Sequence, residues 1–171
     1  ANMELIDIIP EFNLYEEFWK IYTKADIIRP QYISNDAVID RSLISEGAEI
    51  YGEVHNSVIG ADVIIEEGAI VRGSIIMRHC RIGSGCVIDK AIIAENVTVG
   101  NNVVMGEGEE ALNVLKPAVY SFGLVTIGEN SQIPPNVVIG KNTAITGITT
   151  PEDYPDGKLA SGGAIIGKEG E

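Results

Sequence analysis

Few side chains in this sequence belong to types that do chemistry, and their spacing limits what that chemistry is. Histidine occurs twice, as His55 and His79. A three-histidine zinc centre is therefore beyond one chain, although a lone histidine has the chemistry of a general base. Each of the two stands inside an ordinary six-residue unit, which reads as a surface or corner position. Arg72, Arg78 and Arg81 fall within ten residues of one another and are the basic group with the means to hold an anion. Against 25 acidic residues and 12 basic ones, the same three also read as a solvated basic patch. Cys80 and Cys86 lack a CxxC spacing and are too few for a disulfide framework, so they read as small apolar fillers. The GSG at 83–85 is a corner and not a phosphate cradle, and no serine lies in a nucleophile elbow. No residue is assigned a catalytic, cofactor-binding or metal-binding role.

The elements that would position these groups follow a period foreign to helices and to ordinary strands. Aliphatic residues recur at Ile33, Ile39, Ile44 and Ile50, then at Ile59, Ile65, Val71, Ile76, Ile82, Ile88, Ile93, Val99 and Met105. The series resumes at Ile127, Ile133, Ile139 and Ile145. Most intervals are five or six. A longer period overlays the first: SLIS, SVIG, SIIM and AIIA begin at Ser42, Ser57, Ser74 and Ala91. Three units of six, sometimes shortened by one, make one turn of a three-sided coil, the signature of a stacked solenoid. Each unit reads as a short strand and a turn. Its lead aliphatic points inward, and a small residue four later (Ala37, Ala48, Val63, Ala69, Cys80, Cys86, Val97, Val103, Val137) lines the same interior. Gly, Asn and Asp between them suit the positive φ of sharp corners. Parallel crossovers are usually right-handed; regular six-residue units, however, resemble the hexapeptide-repeat proteins, which implies left-handed coils. The fold expected is all-β, a single-stranded left-handed β-helix with a short N-terminal helical segment.

Composition marks the boundaries. Six aromatic residues lie in the first 32 positions, whereas Tyr51 is the lone aromatic between 33 and 105. Residues 1–32 are thus read as a helical linker and 33–171 as the β-helix. Within the linker, NLYEEFWKIYT has the capping residues Asn13 and Glu16 and one face of Tyr15, Phe18, Trp19 and Tyr22. NMELIDII is a second short helix stopped by Pro10. The segment 107–123 breaks the repeat and carries Leu112, Val114, Leu115, Tyr120 and Phe122, an apolar loop of functional length. The turn-rich 150–157 precedes LASGGAII, read as a last strand.

A formal net charge of −13 disfavours nucleic acid and anionic membranes as partners. No run reaches the roughly 18 apolar residues of a membrane helix, and no secretory signal is read at the start. A cytoplasmic location is expected.

Beyond the repeat, NMELIDIIPEFNLYEEFWKIYT, PQYI and SLISEGAEIYGEVHNSVIG together resemble the C-terminal part of bacterial glucose-1-phosphate adenylyltransferases. GLVTIGENSQIPPNVVIGKNTAITG and DYPDGKLASGG are similar to the Gram-positive form of that family. The resemblance implies a parent enzyme that makes ADP-glucose and pyrophosphate from ATP and glucose 1-phosphate with Mg²⁺, for glycogen synthesis. It implies that the Gly-rich, Arg-containing nucleotide loop lies in an N-terminal catalytic domain absent from this chain, which alone is inactive. The β-helix would then assemble subunits, as a homotetramer or a heteromer with a related subunit, and transmit allosteric signals. Family members with strong sugar-phosphate activation use C-terminal arginines. Here only Lys90, Lys116, Lys141, Lys158 and Lys168 follow Arg81, which fits a weakly regulated enzyme or a noncatalytic regulatory subunit. The competing reading is a free-standing hexapeptide-repeat acyltransferase using His55 or His79, with 107–123 as its extended arm.

Overall fold

In the computed structural model, which describes residues 2–11, 18 and 27–168, the chain winds into a three-sided left-handed β-helix. The first face holds six parallel strands: Tyr32–Ile33, Glu49–Ile50, Ile64–Ile65, Arg81–Ile82, Thr98–Val99 and Gln132–Ile133. The second holds seven: Val38–Asp40, Glu53–His55, Ile70–Arg72, Val87–Asp89, Val104–Glu107, Val138–Gly140 and Lys158–Leu159. The third also holds seven: Leu43–Ile44, Val58–Ile59, Ile75–Ile76, Ala91–Ile93, Val125–Ile127, Thr143–Thr146 and Ala164–Ile166. Each strand pairs in parallel with its counterpart one coil away, as Ile82 does with Ile65 and Val99.

Period becomes packing directly. The lead residues from Ile50 onward are buried, and so are the small residues from Ala48 to Val137. Each fully buried aliphatic side chain stabilises the coil by roughly 1.5–3 kcal/mol before chain entropy is counted. The series has one more member than the six-residue reading gave it: Val54, 0% exposed, fills the second-face position between Ile50 and Ile59. Gly52 makes that shortened corner feasible, because a Cβ there would overlap the Ala69 carbonyl oxygen.

Corners stack as columns of positive φ. Asp62, His79, Asn96 and Asn130 form one such column between the third and first faces, with φ of 53°, 59°, 59° and 56°. Asn96 Nδ2 donates to Asn130 Oδ1 at 3.1 Å, and Asn102 donates likewise to Asn136 at the next corner. Asparagine tolerates this region because its short amide also bonds locally. At the corner leading into the third face, the Ser57 and Ser74 hydroxyls are fully buried. The Ser74 N–H donates to Ser57 Oγ at 3.1 Å, and the Ala91 N–H donates to Ser74 Oγ at 3.0 Å. The serines of the SLIS, SVIG and SIIM register thus link coil to coil through hydrogen bonds.

The ends differ from the middle. At the N-terminal end Ile33 is 45% exposed, and Ile39 and Ile44 are only partly buried. At the other end Tyr154 plugs the core, its hydroxyl 2.9 Å from Thr149 Oγ1. NMELIDII forms one 3₁₀ turn, Asn2–Ile6. The helix expected over NLYEEFWKIYT lies outside the described residues except Phe18, which is exposed. The turn-rich 150–157 forms two 3₁₀ turns, Pro151–Asp153 and Pro155–Gly157. LASGGAII supplies parts of two strands rather than one, since a turn at 160–163 carries the chain from the second face to the third.

Candidate functional site

The three arginines do not share a face. Arg72 ends a strand of the second face, Arg78 stands in the turn after the third, and Arg81 opens a strand of the first. Arg78 Nε lies 3.1 Å from Glu95 Oε1, and Arg81 is ion-paired with Glu66. His55 sits on the second face between Asp40 and Arg72 in neighbouring coils, its Nε2 3.2 Å from Glu53 Oε2. His79 occupies a left-handed corner, with Nδ1 3.7 Å from Asp62 Oδ2. The two histidines are on different sides of the coil.

Both cysteines point inward. Cys80 Sγ donates to the Ala94 carbonyl at 2.9 Å, and Cys86 Sγ donates to that of Gly100 at 3.0 Å. Burial pushes the Cys80 thiol up to about 11 and raises Cys86 as well. Burial thus favours the protonated thiol at both positions, which works against nucleophilic use. Among the described residues, no group of three or more His, Cys, Asp or Glu side chains is arranged to hold a metal ion.

What the structure does build is the loop after the strand Val104–Glu107. It climbs the corner between the second and third faces and is clasped there by two buried asparagines, Asn113 and Asn142. Asn113 Nδ2 donates to the carbonyls of Asn142 (2.8 Å) and Gly163 (3.2 Å). Its Oδ1 accepts from the N–H groups of Leu115 and Lys116 at 2.9 and 3.0 Å. Asn142 returns the grip: Nδ2 donates to Ala111 O at 2.9 Å, and Oδ1 accepts from Gly123 N–H at 2.8 Å. Each amide thus satisfies backbone that the missing repeat leaves without a strand partner. Asn142 also has a φ of 55°, so one residue turns the corner and ties the loop. Sequence reasoning missed both residues. Asn142 was legible as a corner, whereas Asn113 carries no local signal.

Outside the clasp the loop is apolar and open: Leu112, Val114, Val119 and Phe122 are 65–83% exposed. Leu115, Lys116 and Tyr120 face the upper third face across a groove of about 400 Å³, whose floor includes Thr126, Ala144 and Ile165. On the second face a wider hollow of about 650 Å³ lies between Val138, Leu159 and Pro155, with Glu107, Asp156 and Lys158 at its edge. Neither groove contains a histidine or a cysteine.

Residues 26–116 match the family model described as GlmU-like, C-terminal hexapeptide. The chain is 63% identical over 97% of its length to the glucose-1-phosphate adenylyltransferase of Lachnospira eligens, of which it covers 39%. It is 47% identical over 99% of its length to the same-named protein of Thermotoga neapolitana, covering 40% of it. The Acetivibrio thermocellus counterpart is 41% identical over the full chain, again with 40% of the relative covered. The chain therefore spans about two fifths of the length of the curated relatives it matches. A solved structure, the acetyltransferase domain of PglB from Neisseria gonorrhoeae FA1090, aligns with 19% identity and a TM-score of 0.48, over 77% of this chain and 54% of that one. The parallel coils, the inward aliphatic columns and the match over more than half of the sequence place the chain in the GlmU-like C-terminal hexapeptide family.

Proposed function

We propose that this chain is the C-terminal architectural module of a glucose-1-phosphate adenylyltransferase. In that reading the polypeptide joins ATP and glucose 1-phosphate into ADP-glucose and pyrophosphate with Mg²⁺ in the cytoplasm, and its chemistry resides in a catalytic domain upstream of Asn2. The β-helix holds that domain and brings subunits together, as a homotetramer or with a related subunit, and carries allosteric signals between them. The observation that carries the reading is 63% identity across 97% of the chain to a protein of that name. The side chains agree with it: both cysteines are buried, and the two histidines lie on different sides of the coil. No family catalytic residue is carried over.

The test is ADP-glucose formation by the full polypeptide and by residues 1–171 alone, with light scattering on both. Synthesis by the full polypeptide, as an oligomer, and none by the 171-residue chain are expected. Acetyl transfer from acetyl-CoA by the 171-residue chain, abolished by His55→Ala or His79→Ala, would overturn the reading in favour of an acyltransferase.

A further inference from the structure

The faces of the coil differ in charge. The outward positions Leu43, Val58, Ile75, Ile92, Thr126 and Ala144 of the third face, aligned by strand register, carry none. The first face instead carries a polar hollow of about 530 Å³, lined by Glu49, Tyr51, Ile64, Glu66, Arg81 and Ser84. It spans three coils, since Glu49, Ile64 and Arg81 are neighbours in register. Glu49 and Glu66 are each held there by one hydroxyl and one guanidinium. Tyr51 donates its O–H to Glu49 Oε2 at 3.0 Å, and Arg29 Nη2 lies 2.7 Å from Glu49 Oε1. Ser84 Oγ donates to Glu66 Oε2 at 3.3 Å, and Arg81 is ion-paired with Glu66. The two carboxylates are seated, with 24% of each side chain exposed, whereas the Arg29 and Arg81 side chains are 59% and 57% exposed. Beside them stands Tyr32, an exposed residue whose ring centre lies 5.7 Å from that of Tyr51, the planes tilted by 47°.

Ion pairs alone are ordinary surface chemistry on a solenoid. The tyrosine pair is not. The core residues of these coils, Ile50, Ile65 and Ile82, are aliphatic, and Tyr51, the lone aromatic between 33 and 105, lines the hollow instead. We propose that this hollow is a binding site for a neutral carbohydrate. A sugar ring presents an apolar C–H face and a rim of hydroxyls that both donate and accept. Tyrosine rings supply a large, rigid apolar surface for the face. For the rim, carboxylate oxygens accept and the planar guanidinium forks donate, and both are already oriented by their second partners. Charge disfavours an anion. Glu49, Glu66 and Glu67 line the hollow with Arg81, and Arg29 stands at its edge, so a phosphate would meet more negative than positive charge. The volume lies within the roughly 300–1,000 Å³ of ordinary small-ligand sites. The proposal does not depend on the enzymatic reading above, because every group it uses belongs to this chain.

The test titrates the 171-residue chain with maltoheptaose, cellohexaose and inorganic phosphate through the millimolar range, reading amide chemical shifts by two-dimensional NMR. At least one of the two sugars should shift the amides of Glu49, Tyr51, Glu66 and Ser84 saturably, while phosphate leaves them in place. Millimolar affinity is expected, because the hollow is open to solvent. Tyr51→Leu keeps an apolar side chain but removes the ring, and should weaken binding by about tenfold. Arg81→Gln should weaken it as well, whereas Arg72→Gln on the second face should leave it unchanged. Should Tyr51→Leu lower the urea midpoint of the chain, Tyr32→Leu takes its place. No saturable shift with either sugar overturns the proposal. Shifts of the same amides by phosphate and by neither sugar overturn it in favour of an anion site. Sugar binding that survives the loss of either tyrosine ring at full strength overturns it too, since the ligand would then sit elsewhere on the coil.

Discussion

Replacing Asn113 tests whether the loop is held by its clasp or merely rests on the coil. The side chain is 1% exposed and makes four hydrogen bonds, all to backbone groups, at 2.8–3.2 Å. At about 1 kcal/mol net for each bond, Asn113→Ala should weaken loop docking by roughly 3–4 kcal/mol. The coil beneath keeps its own ladders, so the loss is local and not global. It should appear as amide exchange of Val114, whose N–H donates to Gly162 O at 2.8 Å, and of Gly123, whose N–H donates to Asn142 Oδ1. A change of that size accelerates exchange by roughly 10²-fold or more. Asn113→Asp sharpens the test, because it keeps the acceptor and loses the donor. An ionised carboxylate would then face the carbonyls of Asn142 and Gly163, which favours its protonated form in the folded state. With the folded pKa above the unfolded value, docking is strongest at low pH and is lost as pH rises through the folded pKa. Hydrogen-exchange mass spectrometry at two pH values reads both effects. Exchange of 111–123 unchanged in both variants would refute the clasp, and an Asp variant indifferent to pH would refute the donor's role.

Four further outcomes follow from the coil. Ser74→Ala leaves the buried Ala91 N–H without its acceptor and should cost about 1–3 kcal/mol in denaturant unfolding; no loss would show that the corner hydroxyls are incidental. Ile82→Ala, at a site 0% exposed between two coils, should cost about 2–5 kcal/mol by the same measurement. Arg81→Gln should change stability by no more than about 1 kcal/mol, since the Arg81 side chain is 57% exposed and its pair with Glu66 is screened by salt. The Cys80 thiol should resist alkylation at pH 8 until the chain unfolds. Its folded pKa, about 11, lies above the ordinary 9.0. The stability it contributes is therefore full below about pH 9 and declines as pH rises toward 11; urea midpoints flat across that range would contradict it.

The inward half of this fold was legible because it is written at short range. An aliphatic at each lead position and a small residue four later are local facts, and the coil converts them into columns without further information. Val54 escaped the reading because Gly52 shortens its corner, so the interval that announces a strand elsewhere is missing there. The clasp escaped for a different reason. Asn113 bonds to residues 29 and 50 positions downstream, and no spacing rule relates an irregular loop to the coils it will lean on. Arg72, Arg78 and Arg81 show the opposite failure. Nearness in sequence suggested a cluster, whereas the coil puts Arg72 on the second face, Arg81 on the first and Arg78 in the turn between the third and the first.

The same geometry explains why the outward chemistry must be read at the long period. Neighbours on a face are residues about 17 apart, as Ile75 and Ile92 are, or 34 apart across the insertion, as Ile92 and Thr126 are. A stretch such as SVIGADVIIEEGAIVRGSII therefore mixes all three surfaces, and its acidic residues hide the uncharged one. Sorted by coil, Glu66 and Glu67 follow the first face while Val58 and Ile75 lie on the third. Burial alone would not separate these columns, because the outward carboxylates Glu49, Glu53 and Asp89 are half-buried just as Leu43, Val58, Ile75 and Ile92 are. Charge separates them. Every exposed carboxylate on a solenoid solvates the face that carries it, so a face without any is stable in water only if it is small or covered. At on the order of 300 Å² the third face alone is within what a monomer tolerates. Joined to the exposed leucine, valine and phenylalanine of the clasped loop, it becomes a longer uncharged strip, and that strip runs along one side of the coil only.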